Sequence, residues 1–410
     1  MLDLVQARNA RLRDRLDRQT RPGMAAGEAI DVVVTANEIN HLHGTGPLVK
    51  RVMKGGLRVF CRRARNDWGF QDFGDWTAVL PQQGLTRAEC SRNVMRVLAG
   101  HRVRNVLCVP YLPDELLTSI AVHDEYGARI CTWIMDDHNI VSHGIPDDLM
   151  RELLEKSALR LATHPELCRA YEHKFGFPFV VLPAVVPHQL VACGRMDGMA
   201  YAPGTYDRSR RGALLGSFWE QSWFDCLCSV LERCDRQIDW YGNHRSRWLQ
   251  FPEKDLARAG ITAHGVVPEE RLAVELHRYP FVIVPVGTLE GAELQSGVAR
   301  FSLPGRILFA AAASNTPILI VGSEQTCGAH FVNHFGIGEV VPYDGDRVAA
   351  AMEWLSRPEI QEKMRANAIR IAPSLSDRGI AQWLAHSIRV GKPADQRFED
   401  LFAEYGAELP

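Results

Sequence analysis

The stretch "ARFSLPGRILFAAAASNTPILI", residues 299–320, places a single arginine at the start of a segment of small apolar residues. Pro304 suits the first turn of a helix, and Gly305 permits a close approach of the backbone. A helix N-terminus favours an anion, and Arg306 can hold a diphosphate through two parallel hydrogen bonds. The stretch therefore predicts a diphosphate site over 302–306; the alternative is an ordinary capped helix whose arginine faces water.

The rest of the chain alternates short apolar runs with amphipathic segments. The runs are rich in Val, Ile, Leu and Cys and barely alternate with polar residues, as in strands buried on both faces. The segment PDELLTSIAVHDEYG, residues 113–127, is typical of the helices between them, with acids in its first turn and glycine at its end. Strands that alternate with helices predict a parallel sheet. The predicted strands are 31–36, 57–62, 77–81, 105–110, 128–136, 159–164 and 179–185, followed by 212–218, 237–242, 261–266, 281–286, 317–322 and 339–343.

The strands form two series, separated by residues 193–211, which are rich in Gly, Arg and small polar residues and predict a linker. A chain of 410 residues is also too long for one ordinary core. We therefore predict an α/β protein with two doubly wound, Rossmann-like domains facing a cleft, 29–192 and 212–375. A basic N-terminal helix (1–28) precedes them, and C-terminal helices (376–410) pack back on the first domain.

Composition excludes several classes of protein. A net charge of −2 argues against a nucleic-acid binder. The ten cysteines contain no Cys-x-x-Cys pair, so we expect no zinc, and they fit reduced, buried thiols in the cytoplasm. No apolar run reaches the roughly 18 residues that span a bilayer, and the N-terminus lacks the apolar core of a signal peptide. The arginine-rich segment 1–28 is either a solvated helix or one that contacts a membrane surface or a partner.

"WIMDDHN", residues 133–139, ends the longest apolar run of the first half. Asp136, Asp137 and His138 are therefore predicted at the carboxyl end of a strand, where open sheets build their sites. A carboxylate or imidazole at that position can take a proton from a hydroxyl nucleophile. The alternative is a set of loop residues that cap the next helix.

Two other features of the first half suggest anion binding. The turn Gly44-Thr45-Gly46 follows the first strand and can bring backbone N–H groups close to a ligand, although a plain strand-to-helix turn has the same composition. The segment from Lys50 to Arg65 holds seven basic residues and no acidic one, so it is either a solvated face or a surface for an anionic acceptor or membrane. The residues assigned to that surface are Lys50, Arg51, Lys54, Arg62 and Arg63.

The Asp-Gly-Asp sequence at 344–346 is similar to the Asp-x-Asp metal motif of nucleotide-sugar enzymes. It follows the last predicted strand and precedes an apolar helical segment. We therefore interpret Asp346 as a helix N-cap and assign no metal to it.

Taken together, these segments resemble the nucleotide-sugar glycosyltransferases of the GT-B fold, especially bacterial polysaccharide and cell-surface glycan transferases, over roughly 30–385. The most specific part is 302–344, which is similar to the family pattern of Pro-Ser-Lys/Arg, helix, small residues, Ala-Gly-x-Pro-Val and a final strand. "HGTG" (43–46) resembles the glycine loop that faces the donor diphosphate. "GSF" (216–218) falls where the family opens its donor-binding domain.

The resemblance implies that the second domain binds a nucleoside diphosphate sugar. The first domain would bind the acceptor, a hydroxyl of a glycan or of a lipid-linked or protein-linked group. It implies transfer without metal or cofactor, with Asp137, or its neighbours Asp136 and His138, facing the acceptor. The implied donor-binding residues are Gly44, Thr45, Gly46, Ser217, Ser302, Leu303, Pro304, Gly305 and Arg306, with Glu293 as a candidate ribose ligand. A sugar-nucleotide epimerase and a catalytically silent sugar-nucleotide-binding or scaffold protein of a glycan assembly system are the alternatives.

The chain departs from the family at several positions. Retaining members carry Glu-x7-Glu in this region, and those places fall here on Phe301 and Phe309. Ser314 and Asn315 stand where Ala-Gly is usual. Whether the reaction would retain or invert the sugar's configuration is therefore left open.

Overall fold

The computed structural model describes residues 29–36, 39–41, 44–53, 57–62, 73–80, 84–193, 211–234, 236–244, 249–403 and 405. The chain forms two compact units. Unit 1 comprises Met1–Leu182 and Gly379–Gln396, and unit 2 comprises Pro183–Arg378 and Arg397–Pro410. Within the described ranges, no helix is both long and apolar enough to cross a membrane.

Unit 1 contains a seven-stranded sheet in which neighbouring strands run parallel. The strand order is β3-β2-β1-β4-β5-β6-β7. The chain adds β2 and β3 on one side of β1 and then β4 to β7 on its other side, as in a doubly wound fold. The strands are β1 (Ala29–Thr35), β2 (Leu57–Arg62), β3 (Trp76–Leu80), β4 (Arg102–Val109), β5 (Arg129–Ile134), β6 (Ser157–Ala162) and β7 (Val180–Val181).

The centre of this sheet is apolar on both faces, which explains the continuous apolar runs in the sequence. Val32, Val33 and Val34 of β1 are fully buried, and Val33 pairs with Leu107 of β4. β-Branched side chains suit a strand with neighbours above and below it.

The helices of unit 1 follow the strands in alternation. α2, α3 and α4 pack side by side, while α15 packs against α1, β5 and β6. The predicted helix at 113–127 is confirmed: Pro113 begins α3, and Gly127 ends it in the left-handed conformation at φ 65°. The helices are α1 (Thr45–Val52), α2 (Arg87–Leu98), α3 (Pro113–Tyr126), α4 (Asp147–Lys156), α5 (Pro165–Phe175) and, from the C-terminal part of the chain, α15 (Ile380–Val390).

Unit 2 contains a six-stranded parallel sheet of order β10-β9-β8-β11-β12-β13. Its direction reverses between β8 and β11, so the two units repeat one architecture. The predicted α/β class with two doubly wound domains is confirmed. The strands are β8 (Arg211–Leu215), β9 (Gln237–Tyr241), β10 (Ile261–Gly265), β11 (Val282–Pro285), β12 (Ile318–Val321) and β13 (Gly338–Val341).

The helices of unit 2 form two packing groups. α7 packs against α8 and α13 over a core that includes Phe224 and Trp240. α6, α9 and α14 pack on the π-helical turn Ala310–Ser314. The helices are α6 (His188–Cys193), α7 (Gln221–Leu231), α8 (Glu253–Arg258), α9 (Glu269–His277), α10 (Gly297–Phe301), α11 (Gly305–Phe309), α12 (Cys327–Phe335), α13 (Gly345–Leu355), α14 (Pro358–Ile371) and α16 (Arg397–Leu401).

Some element boundaries differ from the predicted ones. β7 has two residues where 179–185 were expected, because Pro178 and Pro183 flank it and supply no N–H to a ladder. The cap of α13 is Asp344, which accepts a hydrogen bond from the Arg347 amide at 2.9 Å, so the assignment of Asp346 as the cap is wrong. The C-terminal segment is divided, since α15 belongs to unit 1 and α16 to unit 2. The N-terminal segment 1–28 and residues 194–210 of the linker lie outside the described residues.

The helix that begins at Gly305 changes from α-helical to π-helical along its length. α11 continues as a π-helical turn over Ala310–Ser314, all of it buried. Asn315 ends the helix at φ 53°, and its backbone N–H donates to the carbonyl of Ala310. Glycine and asparagine are the residues that adopt this left-handed conformation most readily. Asparagine therefore suits the backbone conformation at 315.

A buried carboxylate ties together three strands of unit 2. Asp239 on β9 accepts hydrogen bonds from Arg211 at 3.0 Å, His264 at 2.8 Å and Tyr279 at 2.7 Å. Burial disfavours ionisation of Asp239, but the hydrogen bonds from His264, Tyr279 and Arg211 outweigh it and hold its pKa below its usual range.

This network yields a stability prediction. Asp239→Asn should lower the free energy of unfolding at pH 7 by about 2–4 kcal/mol, because Arg211 and Tyr279 lose a charged partner. The lowered pKa means that the contribution of Asp239 is present above its unfolded pKa near 4 and is lost as pH falls through its folded value. The difference in the free energy of unfolding between Asp239→Asn and the parent protein, measured by chemical denaturation, should therefore shrink below about pH 4.

Asp255→Asn is the control, because Asp255 and Arg258 form an ion pair of 3.5 Å on α8 with the arginine largely exposed. That substitution should change stability by less than about 1 kcal/mol. Equal effects of the two substitutions at pH 7 would contradict the assigned role of Asp239.

Candidate functional site

Four polar side chains lie at the carboxyl ends of the strands in unit 1. Three of them were predicted from the sequence, and Tyr111 was not. Thr45 begins α1, Tyr111 follows β4, and Asp136 and His138 follow β5. The Tyr111 hydroxyl lies 2.8 Å from Thr45 Oγ1 and donates to Asp136 Oδ2 at 3.3 Å. The rings of Tyr111 and His138 pack edge to face with their centres 5.0 Å apart.

Asp137 has a different environment from its neighbour. It is fully buried, and its two oxygens accept from the amides of Asn139, Ile140 and Val141 at 2.7–3.0 Å. Tyr171 also donates to it at 3.2 Å. Because both oxygens are engaged by the loop, Asp137 holds the turn after β5 and leaves Asp136 as the carboxylate available for chemistry.

The pKa of Asp136 is raised and the pKa of His138 is lowered from their usual values. Burial raises the pKa of Asp136 to about 6, although the Tyr111 hydrogen bond and the nearby His164 act in the opposite direction. Burial lowers the pKa of His138, so its imidazole is neutral at pH 7, and its Nε2 has no hydrogen-bond partner among the described residues. A carboxyl group whose pKa is raised toward neutrality is suited to act as a general base.

The glycine turn before α1 is shaped largely by packing. A Cβ on Gly46 would lie 2.1 Å from the carbonyl oxygen of Asn40, so this position requires glycine. Gly44 has open space around it and an ordinary helical conformation. Thr45 is buried and directs its hydroxyl to Tyr111. His43, quoted with this turn, lies outside the described residues.

The basic surface is described only in part. Lys50 lies on α1 with its ammonium 3.0 Å from His41 Nε2, and Arg51 is half-buried beside it. Lys54, Arg63 and the side chain of Arg62 lie outside the described part of the chain.

Arg306 lies at the carboxyl edge of the sheet in unit 2. Its Nη1 donates to the carbonyls of Leu215 at 3.0 Å and Ser217 at 2.7 Å, and its Nη2 donates to Pro285 at 3.4 Å. The guanidinium therefore fixes the loops that follow β8 and β11. Of the assigned donor residues, Ser217 contributes its carbonyl to this contact.

One nitrogen of this guanidinium makes none of these contacts. Nε of Arg306 is buried and has no hydrogen-bond partner in the described ranges. Burial lowers the pKa of Arg306 to about 10, so the side chain stays charged at neutral pH. A buried cation with an unused donor is well suited to an anion.

The backbone before α11 is arranged as the sequence suggested, with one shift. Ser302, Leu303 and Pro304 are buried and Gly305 is exposed. Pro304 is the N-cap and Gly305 the first helical residue. The exposed start of the helix is therefore glycine, which leaves the backbone accessible.

Glu293 organises the loop after β11. Its Oε2 accepts from the amides of Thr288 at 2.6 Å and Leu289 at 3.2 Å, and its Oε1 accepts from the Trp223 indole at 2.8 Å. Phe309, at the place of a family glutamate, is buried in the core.

Sequence reasoning missed Tyr111, although a signal was present. The segment Val109-Pro110-Tyr111 ends a predicted strand, and the rule that placed Asp136 at the edge of the sheet applies equally to Tyr111. It also missed Gly216, at φ 85°, where a Cβ would lie 2.9 Å from both Cδ and Nη1 of Arg306.

The contact between Gly216 and Arg306 can be tested by stability. Gly216→Ala should lower the stability of the protein by about 2–4 kcal/mol, because it adds both a strained φ and a clash. Gly127→Ala is the matched control, since Gly127 has φ 65° but open space around it, and should cost about 1 kcal/mol. Thermal unfolding of the two variants measures the difference. Equal losses would show that Arg306 does not require glycine at 216.

Comparison with known proteins identifies the architecture. No protein-family model matches the chain, and no curated protein matches it in sequence. Among solved structures, the trehalose-6-phosphate synthase OtsA superposes with a TM-score of 0.60 at 11% identity, over 88% of this chain and 99% of that chain. The lipopolysaccharide outer core galactosyltransferase WaaB has a TM-score of 0.55 at 13% identity, over 88% and 99%. The chain has the GT-B fold.

A third similar structure has a different named activity. A putative UDP-N-acetylglucosamine 2-epimerase from Listeria monocytogenes gives a TM-score of 0.55 at 12% identity, over 91% of this chain and 98% of that chain. Identities this low establish the fold and not the reaction.

Proposed function

We propose that this GT-B protein is a glycosyltransferase that moves a sugar from a nucleoside diphosphate sugar to an acceptor hydroxyl. The observation that carries the proposal is Arg306 at the carboxyl edge of the sheet in unit 2, a half-buried cation whose Nε has no partner among the described residues. Open parallel sheets bind ligands at this edge. The named activity of WaaB, a galactosyltransferase that shares the fold, supports the same class of reaction.

In this proposal unit 2 stabilises the leaving group. Negative charge grows on the diphosphate as its bond to the sugar breaks. Arg306 is held by the carbonyls of Leu215, Ser217 and Pro285, so its charge is already in place and needs no rearrangement. The accessible backbone at Gly305 would contact the same phosphate oxygens. Charge neutralisation is thus assigned to the protein and not to a metal.

Unit 1 supplies the base. Asp136 takes the proton of the acceptor hydroxyl, the hydroxyl oxygen bonds to the anomeric carbon, and the bond from that carbon to the diphosphate oxygen breaks. The nucleoside diphosphate leaves with the electron pair. Such a single displacement inverts the anomeric carbon, so we propose an inverting reaction. Asp136 replaces Asp137 as the favoured base because the loop amides occupy both oxygens of Asp137.

The resemblance implies the acceptor that we propose. It is a hydroxyl of a glycan, or of a lipid-linked or protein-linked group. Lys50 and Arg51 on α1 provide positive charge in the same unit as Asp136. They favour an acceptor that carries phosphate or another anionic group, or a location at the anionic inner face of a membrane.

Epimerisation of the sugar nucleotide is the second candidate, favoured by the structural similarity to the Listeria protein. It shares the donor and differs in the product. An epimerase changes the sugar without an acceptor, whereas a transferase releases the nucleoside diphosphate. A scaffold protein without activity would do neither.

Nucleotide binding is the first prediction of this proposal. One of UDP, GDP, TDP, ADP and CMP should raise the midpoint of thermal unfolding, because a ligand of the folded state stabilises it by mass action. Arg306→Lys should weaken that binding about tenfold or more, since lysine keeps the charge but not the planar fork. Isothermal titration calorimetry measures the affinities.

Arg258→Lys, at an exposed position on α8, is the control and should bind normally. If no nucleotide binds, the proposed function is wrong. If a nucleotide binds equally well to Arg306→Lys and to a folded Arg306→Ala variant, the assignment of the diphosphate site is wrong.

The pH dependence of transfer tests the base. The rate should rise with pH through about 6 and level off above it, because Asp136 must be a carboxylate to accept a proton. Asp136→Asn should lower kcat about 100- to 10,000-fold and remove this limb of the profile.

The variant should fold at least as stably as the parent at pH 8. A carboxyl with a raised folded pKa destabilises the folded state once pH exceeds its unfolded value, and asparagine removes that penalty. Asp148→Asn, an exposed acid on α4, is the control for activity. Unchanged transfer by Asp136→Asn would refute the role of Asp136, and a product of retained configuration would refute inversion.

A further inference from the structure

We infer that Thr45, Tyr111 and Asp136 form a directed hydrogen-bond chain in which Tyr111 is the positioning residue for the carboxylate. Thr45 fixes the direction in which Tyr111 donates. The inference rests on the proposed role of Asp136 as the base, but the chain itself can be measured without any reaction.

The geometry defines the chain. The Tyr111 hydroxyl is within 2.8 Å of Thr45 Oγ1 and 3.3 Å of Asp136 Oδ2. A tyrosine hydroxyl has one proton to donate, while a carboxylate only accepts. When Tyr111 donates to Asp136, its oxygen is left to accept from Thr45. The proton order therefore runs from Thr45 to Tyr111 to Asp136.

The chain joins three elements that the sequence keeps far apart. Thr45 begins α1, Tyr111 follows β4 and Asp136 follows β5, and β1, β4 and β5 are neighbours in the sheet. Thr45 is buried, so its hydroxyl is shielded from bulk water. A mobile side chain at this edge would adopt several rotamers, and the bond from Tyr111 selects one for Asp136.

Tyr111 is suited to donate at every relevant pH. Burial raises its pKa well above the ordinary value, so the hydroxyl keeps its proton. The bond stabilises the carboxylate and acts against the burial that raises the pKa of Asp136. The chain therefore limits how far burial raises that pKa.

Other groups face Asp136 and have to be kept constant in a test. His164, after β6, favours the carboxylate, and Asp137 on the same loop disfavours it. His138 lies beside Tyr111. The substitutions below alter none of these three residues.

The test is a carbon-13 NMR titration of the Asp136 carboxyl group in protein labelled at aspartate, with the resonance assigned by its loss in Asp136→Asn. Tyr111→Phe should raise the pKa of Asp136 by about 0.5 to 1, the equivalent of one ordinary hydrogen bond, because the bond of 3.3 Å is long. Thr45→Val should raise it in the same direction by less, because Tyr111 is then free to turn away. Thr45→Ser restores the donor and should leave the pKa at the parent value.

Tyr126→Phe is the matched control, because Tyr126 ends α3, at the opposite end of that helix from Tyr111, and should leave the titration unchanged. An unchanged pKa in folded Tyr111→Phe would overturn the inference. An unchanged pKa in Thr45→Val would overturn the role of Thr45.

A kinetic measurement separates this inference from the proposed function. If transfer depends on Asp136, the acid limb of the pH–rate profile should move upward in Tyr111→Phe by the same amount as the NMR titration. If Asp136→Asn transfers normally while the NMR shifts occur, the chain exists and the proposed base is wrong. A limb that stays fixed while the NMR pKa moves would overturn the positioning role.

Discussion

The parallel direction of the strands is the constraint on which both candidate sites depend. Because every strand of a sheet ends at the same edge, residues separated by long stretches of sequence arrive next to one another. Thr45, Tyr111 and Asp136 meet in this way in unit 1, and Leu215 and Pro285 meet at Arg306 in unit 2.

Both sites place a charge where water is scarce. Burial disfavours the charged forms of Asp136 and Arg306, as their shifted pKa values show. The protein compensates each charge differently: a hydroxyl donates to the carboxylate, and backbone carbonyls accept from the guanidinium. Asp239 shows the fully compensated case, in which three partners hold a carboxylate ionised and the group stabilises the fold. Incomplete compensation marks the positions that are available for chemistry.

The fold could be predicted from the sequence because its signal is repeated. Most of the buried strands are short apolar runs, and 29–35 and 282–285 show the same Val- and Ile-rich pattern in different units. The sites were harder to predict because their decisive features are contacts between distant residues. Adjacent aspartates at 136 and 137 look alike in sequence, and only the amides of the following loop distinguish them. Gly216 shows a purpose only when the side chain of Arg306 lies against it.

The π-helical turn at Ala310–Ser314 has a consequence for comparing this chain with other sequences. Such a turn takes up one residue more than an α-helix over the same rise. Any register of family motifs counted through 310–314 without a gap is then displaced by one position on one side of the turn. Phe301 and Phe309 precede the turn and are not displaced by it, whereas Ser314 and Asn315 lie at its end. Alignments of this protein with its distant relatives should therefore be anchored separately at Arg306 and at Asn315.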